Sequence, residues 1–342
     1  MKEIVITSKN ANQRLDKYLC KYLSNAPLSF IYKMLRKKNI TLNGKKSDGK
    51  DLLKSGDNIK IFFSDETLTK FSGENSNSDK TKANYYDKIY TPLSILYEDE
   101  DYIFIDKPVG MLTQKAKEED ISLNELLIAY LIKNGSLKVT DLQTFKPGVC
   151  NRLDRNTSGI VACGKTIKGL QDLSLGFKER TFKKYYITVV KGVLTKPETI
   201  TGTLNKNNKT NTVTINRNVS KTNKNDNENY IYTKYTPIAN NGKVTLLKVH
   251  LITGKTHQIR AHLSSINHPL IGDYKYGDVR LNDYYKKKYG LKSQLLTAYQ
   301  LNCLLNNKDI NIKGDIPKLF SDILKGENLW EPGIQEDLEV KR

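Results

Sequence analysis

Residues 151–159 read NRLDRNTSG and place Asp154 between Arg152 and Arg155, ahead of small residues that favour a tight turn. The next four residues, Ile160 to Cys163, form an apolar run typical of a buried strand. We therefore expect Asp154 in a loop presented by a strand, where the two arginines would favour its ionised form. An ionised carboxylate can act as a nucleophile, and a surface Arg–Asp–Arg network is the alternative interpretation.

The composition indicates a polyanionic partner. The chain has 342 residues, 56 Lys and Arg against 37 Asp and Glu, and a net charge of +19. This excess favours nucleic acid first and an anionic membrane surface second. Four scattered cysteines are typical of a reduced, cytoplasmic protein. No signal peptide and no apolar run near the ~18 residues of a membrane span are found. Nucleic acid, and not a membrane, is therefore the partner that we expect.

The basic charge is concentrated at the N-terminus. Residues 1–63 contain 14 basic and 5 acidic side chains, a net charge of +9. Apolar spacing predicts one helix beginning near Leu15 and a second from Ser29 through Lys38. Alternation at 40–42, an Asn-Gly turn and a run at 59–63 predict a small hairpin. We expect this compact basic domain to be followed by a polar, mobile linker over residues 64–90.

Strand and helix patterns alternate through the rest of the chain. Strands are predicted at 95–99, 102–106, 160–163, 184–190 and 244–251, and helices at 123–133 and from about Thr256. Residues 205–229 contain ten asparagines and predict a hairpin or excursion, partly disordered. Residues 284–289 combine three tyrosines with three lysines, which favours either RNA contact or a solvated loop.

Two motifs resemble a nucleotide site and a metal site, but their sequence context argues against both. Residues 159–166 fit the phosphate-loop pattern G-x-x-x-x-G-K-[ST], but the supposed loop is Ile-Val-Ala-Cys, which prefers a strand. His257 and His262 are five residues apart, so a helix would direct them to different sides, and no ligand joins them at metal-binding spacing. We therefore expect neither a bound nucleotide nor a metal.

Residues 90–305 resemble the RluA/RluC/RluD-type pseudouridine synthases. The similar motifs are IDKPVG at 105–110, NRLDRNTSG at 151–159, KYYITVVKG at 184–192, TGKTHQIRAH at 253–262 and HPLIGDYKYG at 268–277. Three departures are Asn151 in place of a histidine, Thr113-Gln114 where a histidine often follows, and Thr188 at a common alanine position. Residues 1–63 resemble the small RNA-binding domain shared with ribosomal protein S-four, through RLDKYL, ITLNGK and SGDNIKI.

The resemblance implies an α+β fold with a mixed, largely antiparallel central sheet flanked by helices, plus the small N-terminal α+β domain. The implied domains are 1–63 for RNA binding and 91–305 for catalysis. The resemblance does not cover the linker at 64–90 or residues 306–342, which we expect to form a partly helical tail. The implied enzyme is a cytoplasmic, monomeric RNA pseudouridine synthase without cofactor or metal, acting on uridines of large-subunit ribosomal RNA.

The resemblance also implies the site residues. Asp154 is the catalytic aspartate, Tyr186 the ring beside the target base and Arg260 the ion-pair partner of Asp154. Arg152 would fill the gap left by a flipped nucleotide. We expect Arg155, His257 and Gln258 to contact the substrate as well.

Two alternatives belong to other classes. One is a non-catalytic RNA-binding or ribosome-assembly module, for which Asp154 would be dispensable. The other is a phosphate-loop nucleotidase that uses residues 159–166.

Overall fold

The computed structural model describes residues 1–72, 76–207, 212–217 and 230–330. The strands in these ranges are β1 (Lys2–Val5), β2 (Ile40–Leu42), β3 (Asn58–Ile61), β4 (Ile95–Glu98), β5 (Tyr102–Lys107), β6 (Gly148–Val149), β7 (Ser158–Gly164), β8 (Lys183–Lys191), β9 (Glu198–Asn207), β10 (Thr212–Asn216), β11 (Tyr230–Asn240), β12 (Val244–Leu251), β13 (Leu296–Leu305) and β14 (Lys308–Lys313). The helices are α1 (Leu15–Tyr22), α2 (Leu28–Arg36), α3 (Asp65–Ser72), α4 (Ser76–Ile89), α5 (Leu123–Lys133), α6 (Ile167–Lys178), α7 (Gln258–Ser265), α8 (Val279–Tyr289) and α9 (Lys318–Gly326).

Among the described residues, eleven strands form one large sheet. Its order is β10-β9-β11-β12-β8-β13-β7-β5-β4, with β14 paired to β13 and β6 paired to β7. The pairs β12–β8 and β13–β8 are antiparallel, whereas β13–β7 is parallel. The predicted fold class, a mixed sheet with helices, is confirmed.

The N-terminal residues form a three-stranded sheet of their own in the order β1-β3-β2. The apolar face predicted for α1 is buried, and so are Ile31, Met34 and Leu35 of α2. Helix α2 begins at Leu28 after Pro27, rather than at Ser29. Proline suits this boundary for two reasons. Its fixed φ is compatible with entry into a helix, and the N–H that it lacks would have no helical partner at the first turn.

The predicted mobile linker over 64–90 is helical in the structure and therefore differs from our expectation. Helices α3 and α4 occupy most of it. Leu68 and Phe71 of α3 pack against the N-terminal core, where the Phe71 ring lies 4.5 Å from the Phe30 ring. Partial burial of two apolar side chains at helical spacing orders α3, whose composition is otherwise polar.

The chain divides into two compact units, and the division differs from the predicted domain boundaries. Unit 1 contains Met1–Ile103, Gln114–Asn151 and Ala162–Leu175, so the basic residues 1–63 group with α4 and α5. Unit 2 contains Phe104–Thr113, Arg152–Val161 and Gly176–Arg342. All of the predicted site residues lie in unit 2.

The sheet extends past the predicted domain end at residue 305. Strand β14 pairs with β13, and Phe320, Ile323 and Leu324 of α9 join the core of unit 2. The tail is thus an integral part of this unit up to residue 330, and residues 331–342 lie outside the described ranges.

Described parts of the asparagine-rich stretch 205–229 and of the tyrosine- and lysine-rich stretch 284–289 form regular secondary structure. Strands β9 and β10 form the hairpin expected within 205–229, and the expected disorder concerns residues outside the described ranges. Residues 284–289 are the end of α8 and not a loop, with Tyr285 buried. No described helix has the length and apolar character needed to cross a membrane.

Candidate active site

Asp154 lies in a short loop between β6 and β7, as predicted. The loop closes on itself, since Thr157 N donates to Asp154 O at 3.0 Å. Thr113 fixes Leu153, the residue before Asp154. The Thr113 hydroxyl donates to Leu153 O at 2.9 Å and accepts from Leu153 N at 3.2 Å. The backbone on both sides of Asp154 is therefore held, while its side chain remains 26% exposed.

The Thr-Ser-Gly end of the motif anchors this loop to β13. Ser158 Oγ and Thr297 Oγ1 lie 2.8 Å apart, and Ser158 pairs with Thr297 in the parallel register. Gly159 has φ +111°, and an added Cβ would lie 2.1 Å from Ala298 O. Only glycine permits both the backbone conformation and this close approach of the two strands.

Arg260 is the charge partner of Asp154. Its Nη1 donates to Asp154 Oδ2 at 3.1 Å. Its Nε and Nη2 donate to the two carboxylate oxygens of Asp273 at 2.7 and 2.8 Å. The guanidinium thus uses its planar fork on Asp273 and turns a further donor towards Asp154.

Asp273 is itself fixed by a glycine-bounded turn. The carboxylate is buried and accepts hydrogen bonds from Lys275 N and Tyr276 N. Buried Asn282 of α8 locks the turn, because its Nδ2 donates to Asp273 O and its Oδ1 accepts from Gly272 N. The orientation of Arg260 is therefore determined by residues that do not touch Asp154.

His257 contributes a second group beside Asp154. Its Nε2 lies 3.7 Å from Asp154 Oδ2, and its Nδ1 lies 2.9 Å from the Tyr276 hydroxyl. Burial lowers the pKa of His257, and the negative charge of Asp154 opposes this shift. Tyr276 Oη accepts from Val213 N, which leaves the hydroxyl hydrogen of Tyr276 for a hydrogen bond to His257 Nδ1. With Nδ1 as the acceptor, the neutral ring would carry its proton on Nε2, towards Asp154.

Tyr186 lies on β8 and is almost completely buried. Burial, and after it the charge of Asp154, raises the pKa of Tyr186 well above its usual value. The side chain is consequently a neutral phenol at physiological pH. Tyr186 pairs with Ala298 of β13, which in turn pairs with Gly159, five positions after Asp154.

Arg152 and Arg155 are the two arginines that flank Asp154 in the sequence. Within the described ranges, neither Arg152 nor Arg155 forms a hydrogen bond or ion pair with Asp154. Arg155 Nε donates to Gly110 O at 3.0 Å, and both arginines are exposed. Arg260, from a distant part of the chain, makes the ion pair with Asp154, and an influence of the two arginines on its ionised form stays a prediction.

Gln258 is buried at the start of α7 and bonded to protein groups. Its Nε2 donates to Tyr232 O and Thr233 Oγ1, both at 3.0 Å, and its Oε1 accepts from Thr253 Oγ1 and Lys255 N. These contacts join the helix carrying Arg260 to β11. They favour a positioning role, and a substrate contact of Gln258 stays a prediction.

The phosphate-loop interpretation is contradicted. Residues 158–164 form the fully buried strand β7 rather than a loop. Lys165 Nζ donates to Glu98 Oε1 and Asp99 O, both at 2.6 Å, within unit 1. The amides and the lysine that would hold a nucleotide phosphate are therefore used by the fold.

Comparison with known proteins identifies the family. The family model described as RNA pseudouridylate synthase matches residues 101–265. The ribosomal large subunit pseudouridine synthase C of Buchnera aphidicola subsp. Baizongia pistaciae is 30% identical over 329 residues, which cover 94% of this chain and 95% of that protein. The chain belongs to the RNA pseudouridylate synthase family.

A second relative agrees with this assignment, and a solved structure shares the fold. The ribosomal large subunit pseudouridine synthase D of Borreliella burgdorferi is 33% identical over 280 residues, which cover 80% of this chain and 78% of that protein. Human RNA pseudouridylate synthase domain containing 4 matches at a TM-score of 0.57 and 20% identity, over 73% of this chain and 98% of that chain, which shows the shared fold. The protein is thus an enzyme, an RNA pseudouridine synthase.

Two polar residues that shape this synthase site were missed by sequence reasoning. Asp273 follows a glycine in the HPLIGDYKYG segment, where a carboxylate in a turn was a usable signal. Lys107 is fully buried in the KPVG segment, and its Nζ donates to Pro108 O, Met111 O and Arg155 O. It thereby ties the 107–111 loop to the residue that follows Asp154.

Proposed function

We propose that this synthase isomerises uridine in large-subunit ribosomal RNA with Asp154 as its catalytic aspartate. The observation that carries the proposal is the ion pair of Asp154 with Arg260, whose other donors are taken by Asp273. A partly exposed carboxylate with a pre-oriented cation suits a reacting group. The ribosomal substrate is supported by relatives named for the large subunit.

The chemistry needs one ionised carboxylate at the sugar or the base. Uridine must lose its C1′–N1 bond, the uracil must turn, and C5 must bond to C1′ and then release its proton. Cleavage of a glycosidic bond develops oxocarbenium-like charge, which Asp154 can stabilise or trap. Attack at C1′, addition at C6 and removal of the 2′ proton are the three routes open to it.

Tyr186 is proposed to lie beside the uracil ring. A neutral, buried phenol can stack on the base, and its hydroxyl can donate a hydrogen bond. Its raised pKa keeps the hydroxyl protonated in the free enzyme, and we propose that this hydroxyl assists the later removal of the C5 proton. A paired uridine cannot reach this position, and base flipping is therefore part of the proposal.

Exposed arginines beside the site are proposed to contact the RNA. Arg152 has no charge partner among the described residues, which suits a side chain that enters the helix where the flipped nucleotide leaves a gap. Arg155 keeps its Nε on Gly110 O and can offer its terminal nitrogens to a phosphate. His257 is proposed to touch the substrate through its Nε2 side, next to Asp154.

The basic N-terminal residues 1–63 are proposed to anchor structured RNA. Their net charge of +9 and their likeness to the domain of ribosomal protein S-four support this role. We further propose that the enzyme works as a cytoplasmic monomer. Four free cysteines suit a reducing compartment, and analytical ultracentrifugation tests the oligomeric state.

Pseudouridine mapping tests the function directly. Ribosomal and transfer RNA are sequenced at single-nucleotide level from cells with and without this protein, and from cells that carry the Asp154→Asn variant. We expect one or a few positions in large-subunit ribosomal RNA to lose pseudouridine in both altered strains. Loss confined to transfer RNA would refute the ribosomal substrate, and full modification in the Asp154→Asn strain would refute the catalytic assignment.

A further inference from the structure

Lys184 is a cationic side chain on β8, the strand that carries Tyr186. Lys184 precedes Tyr186 by two positions on β8, and side chains two apart on a strand point to the same face about 6.7 Å from each other. Lys184 is half-buried, whereas its neighbour Lys183 is exposed and points to the opposite face. Lys184 therefore shares the face of the sheet on which the Tyr186 ring lies.

The ammonium group of Lys184 also reaches the loop that leads to Arg260. A methyl group on Gly254 would lie 3.3 Å from Lys184 Nζ. Gly254 belongs to the connection between β12 and α7, which continues into His257 and the helix that presents Arg260. The side chain of Lys184 thus extends from the strand of Tyr186 to the segment that supplies the partners of Asp154.

No acidic group neutralises this cation in the described part of the chain. Lys184 forms no ion pair or hydrogen bond there, although four other lysines of unit 2 (Lys107, Lys191, Lys288 and Lys318) find acceptors. Its charged neighbour is Arg180, of the same sign. Burial, and after it Arg180, lowers the pKa of Lys184 to about 8. A half-buried cation without a partner costs stability, which is a common property of groups awaiting a ligand.

We infer that Lys184 binds a backbone phosphate of the RNA next to the target uridine. Phosphate is the anionic group of RNA, and the uracil base offers no charge to balance an ammonium. The inference rests on the proposed function, because it takes Tyr186 and Asp154 as the place where the uridine sits. Lys184 is then a substrate-positioning residue that holds the flipped nucleotide by its backbone.

A pair of neighbouring variants tests this role. Lys184→Met keeps length and apolar character but removes the charge, and Lys183→Met makes the same change on the opposite face of the same strand. Affinity for a synthetic stem-loop RNA carrying the mapped uridine is measured by fluorescence anisotropy over a range of salt. We expect Lys184→Met to bind about tenfold more weakly and to lower the salt slope by about 0.7 to 0.9. Lys183→Met should remain within about twofold of the wild type.

Thermal melting separates this role from a purely structural one. Removal of an unpartnered half-buried charge should leave the melting temperature of Lys184→Met equal to or above that of the wild type. Lys184→Arg, which restores the charge, should recover most of the RNA affinity. Weaker binding together with a lower melting temperature, not rescued by arginine, would overturn the inference.

Neutral phosphate analogues identify the contact. Methylphosphonate replaces each phosphate around the target uridine in turn, and binding is compared for the wild type and Lys184→Met. At one position the substitution should weaken the wild type but leave Lys184→Met unchanged. Additive losses at every position, or equal binding by the two lysine variants, would refute the phosphate contact. Turnover of the unmodified RNA by the wild type is measured separately, so a failure of the proposed function is recognised independently.

Discussion

Arg260 and Asp273 form a buried, two-point ion pair, with Nε–Oδ2 and Nη2–Oδ1 distances of 2.7 and 2.8 Å. Both side chains are at least nine-tenths buried. Because this pair fixes the plane of the guanidinium, the remaining Nη1 meets Asp154 without further reorganisation. The carboxylate that we propose to react is therefore held by a cation whose position is set in advance.

Asp273→Asn should damage both the fold and the reaction. The variant leaves Arg260 without its buried counter-charge, which typically costs about 3 to 5 kcal/mol. The freed guanidinium can rotate, so we expect the single-turnover rate to fall about 100-fold. Chemical denaturation and single-turnover kinetics measure the two effects. Asp322→Asn, which removes the exposed partner of Lys318, is the control and should change the free energy of unfolding by less than about 0.5 kcal/mol. Equal results for the two variants would show that the buried pair does not organise the site.

Gly159→Ala should prevent the close approach of β7 and β13. The new methyl group would overlap Ala298 O in a left-handed backbone, and we expect a loss of about 3 kcal/mol or more. Gly44→Ala separates the two causes, because Gly44 has φ +73° but open space around it. That control should lose about 1 to 2 kcal/mol. Equal losses would mean that backbone conformation alone, and not strand contact, requires Gly159.

His262 should make the fold sensitive to mild acid. Burial, and after it the charge of Arg217, lowers the pKa of His262 to about 4 from 6.5. The unfolded chain binds this proton at higher pH than the folded protein does, so stability should rise with pH between about 4 and 6.5. The change across that window is about 3 kcal/mol. His262→Gln should flatten this part of the stability profile measured by denaturant unfolding. An unchanged profile would contradict the neutral, buried state of His262.

The exposed basic face of α2 should supply RNA affinity and not chemistry. Lys33, Arg36 and Lys37 are all exposed on this helix. Replacing them with glutamine should weaken binding of long structured RNA and lower the salt slope by up to about 2.7. The maximal rate at saturating RNA should stay within about twofold. A control variant replaces three exposed lysines of unit 2, namely Lys196, Lys292 and Lys308. A salt slope reduced equally in both variants would show that α2 is not a preferred anchor.

Local patterns predicted most strands and helices, because periodicity records which face of each element is buried. The buried faces of α1 and α2, and the loop that presents Asp154, follow from such patterns. The error at 64–90 arose because a polar composition outweighed Leu68 and Phe71, whose spacing was a helical signal. Ordering of that segment depends on a surface provided by residues distant in sequence.

The site was only partly predictable for the same reason. The residues themselves singled out Asp154, whereas Tyr186 and Arg260 came from the family resemblance; all three lie in unit 2, where Arg260 pairs with Asp154. From the residues alone, Arg152 and Arg155 were expected to favour the ionised form of Asp154 because they are close to it along the chain, and only the resemblance named Arg260 as its ion-pair partner. The actual partner, Arg260, is 106 positions away, and its orientation depends on Asp273. Sequence proximity does not report such tertiary contacts.

The most direct test of the catalytic assignment compares purified wild type and Asp154→Asn on RNA from cells that lack this protein. Asparagine keeps the size of the side chain but cannot act as a nucleophile or carry the negative charge. Pseudouridine formed per enzyme is counted at each uridine, with melting temperature and RNA affinity measured alongside. We predict modification by the wild type and none by Asp154→Asn, at comparable affinity and with an intact fold. Pseudouridine formation by the Asp154→Asn enzyme would contradict the account.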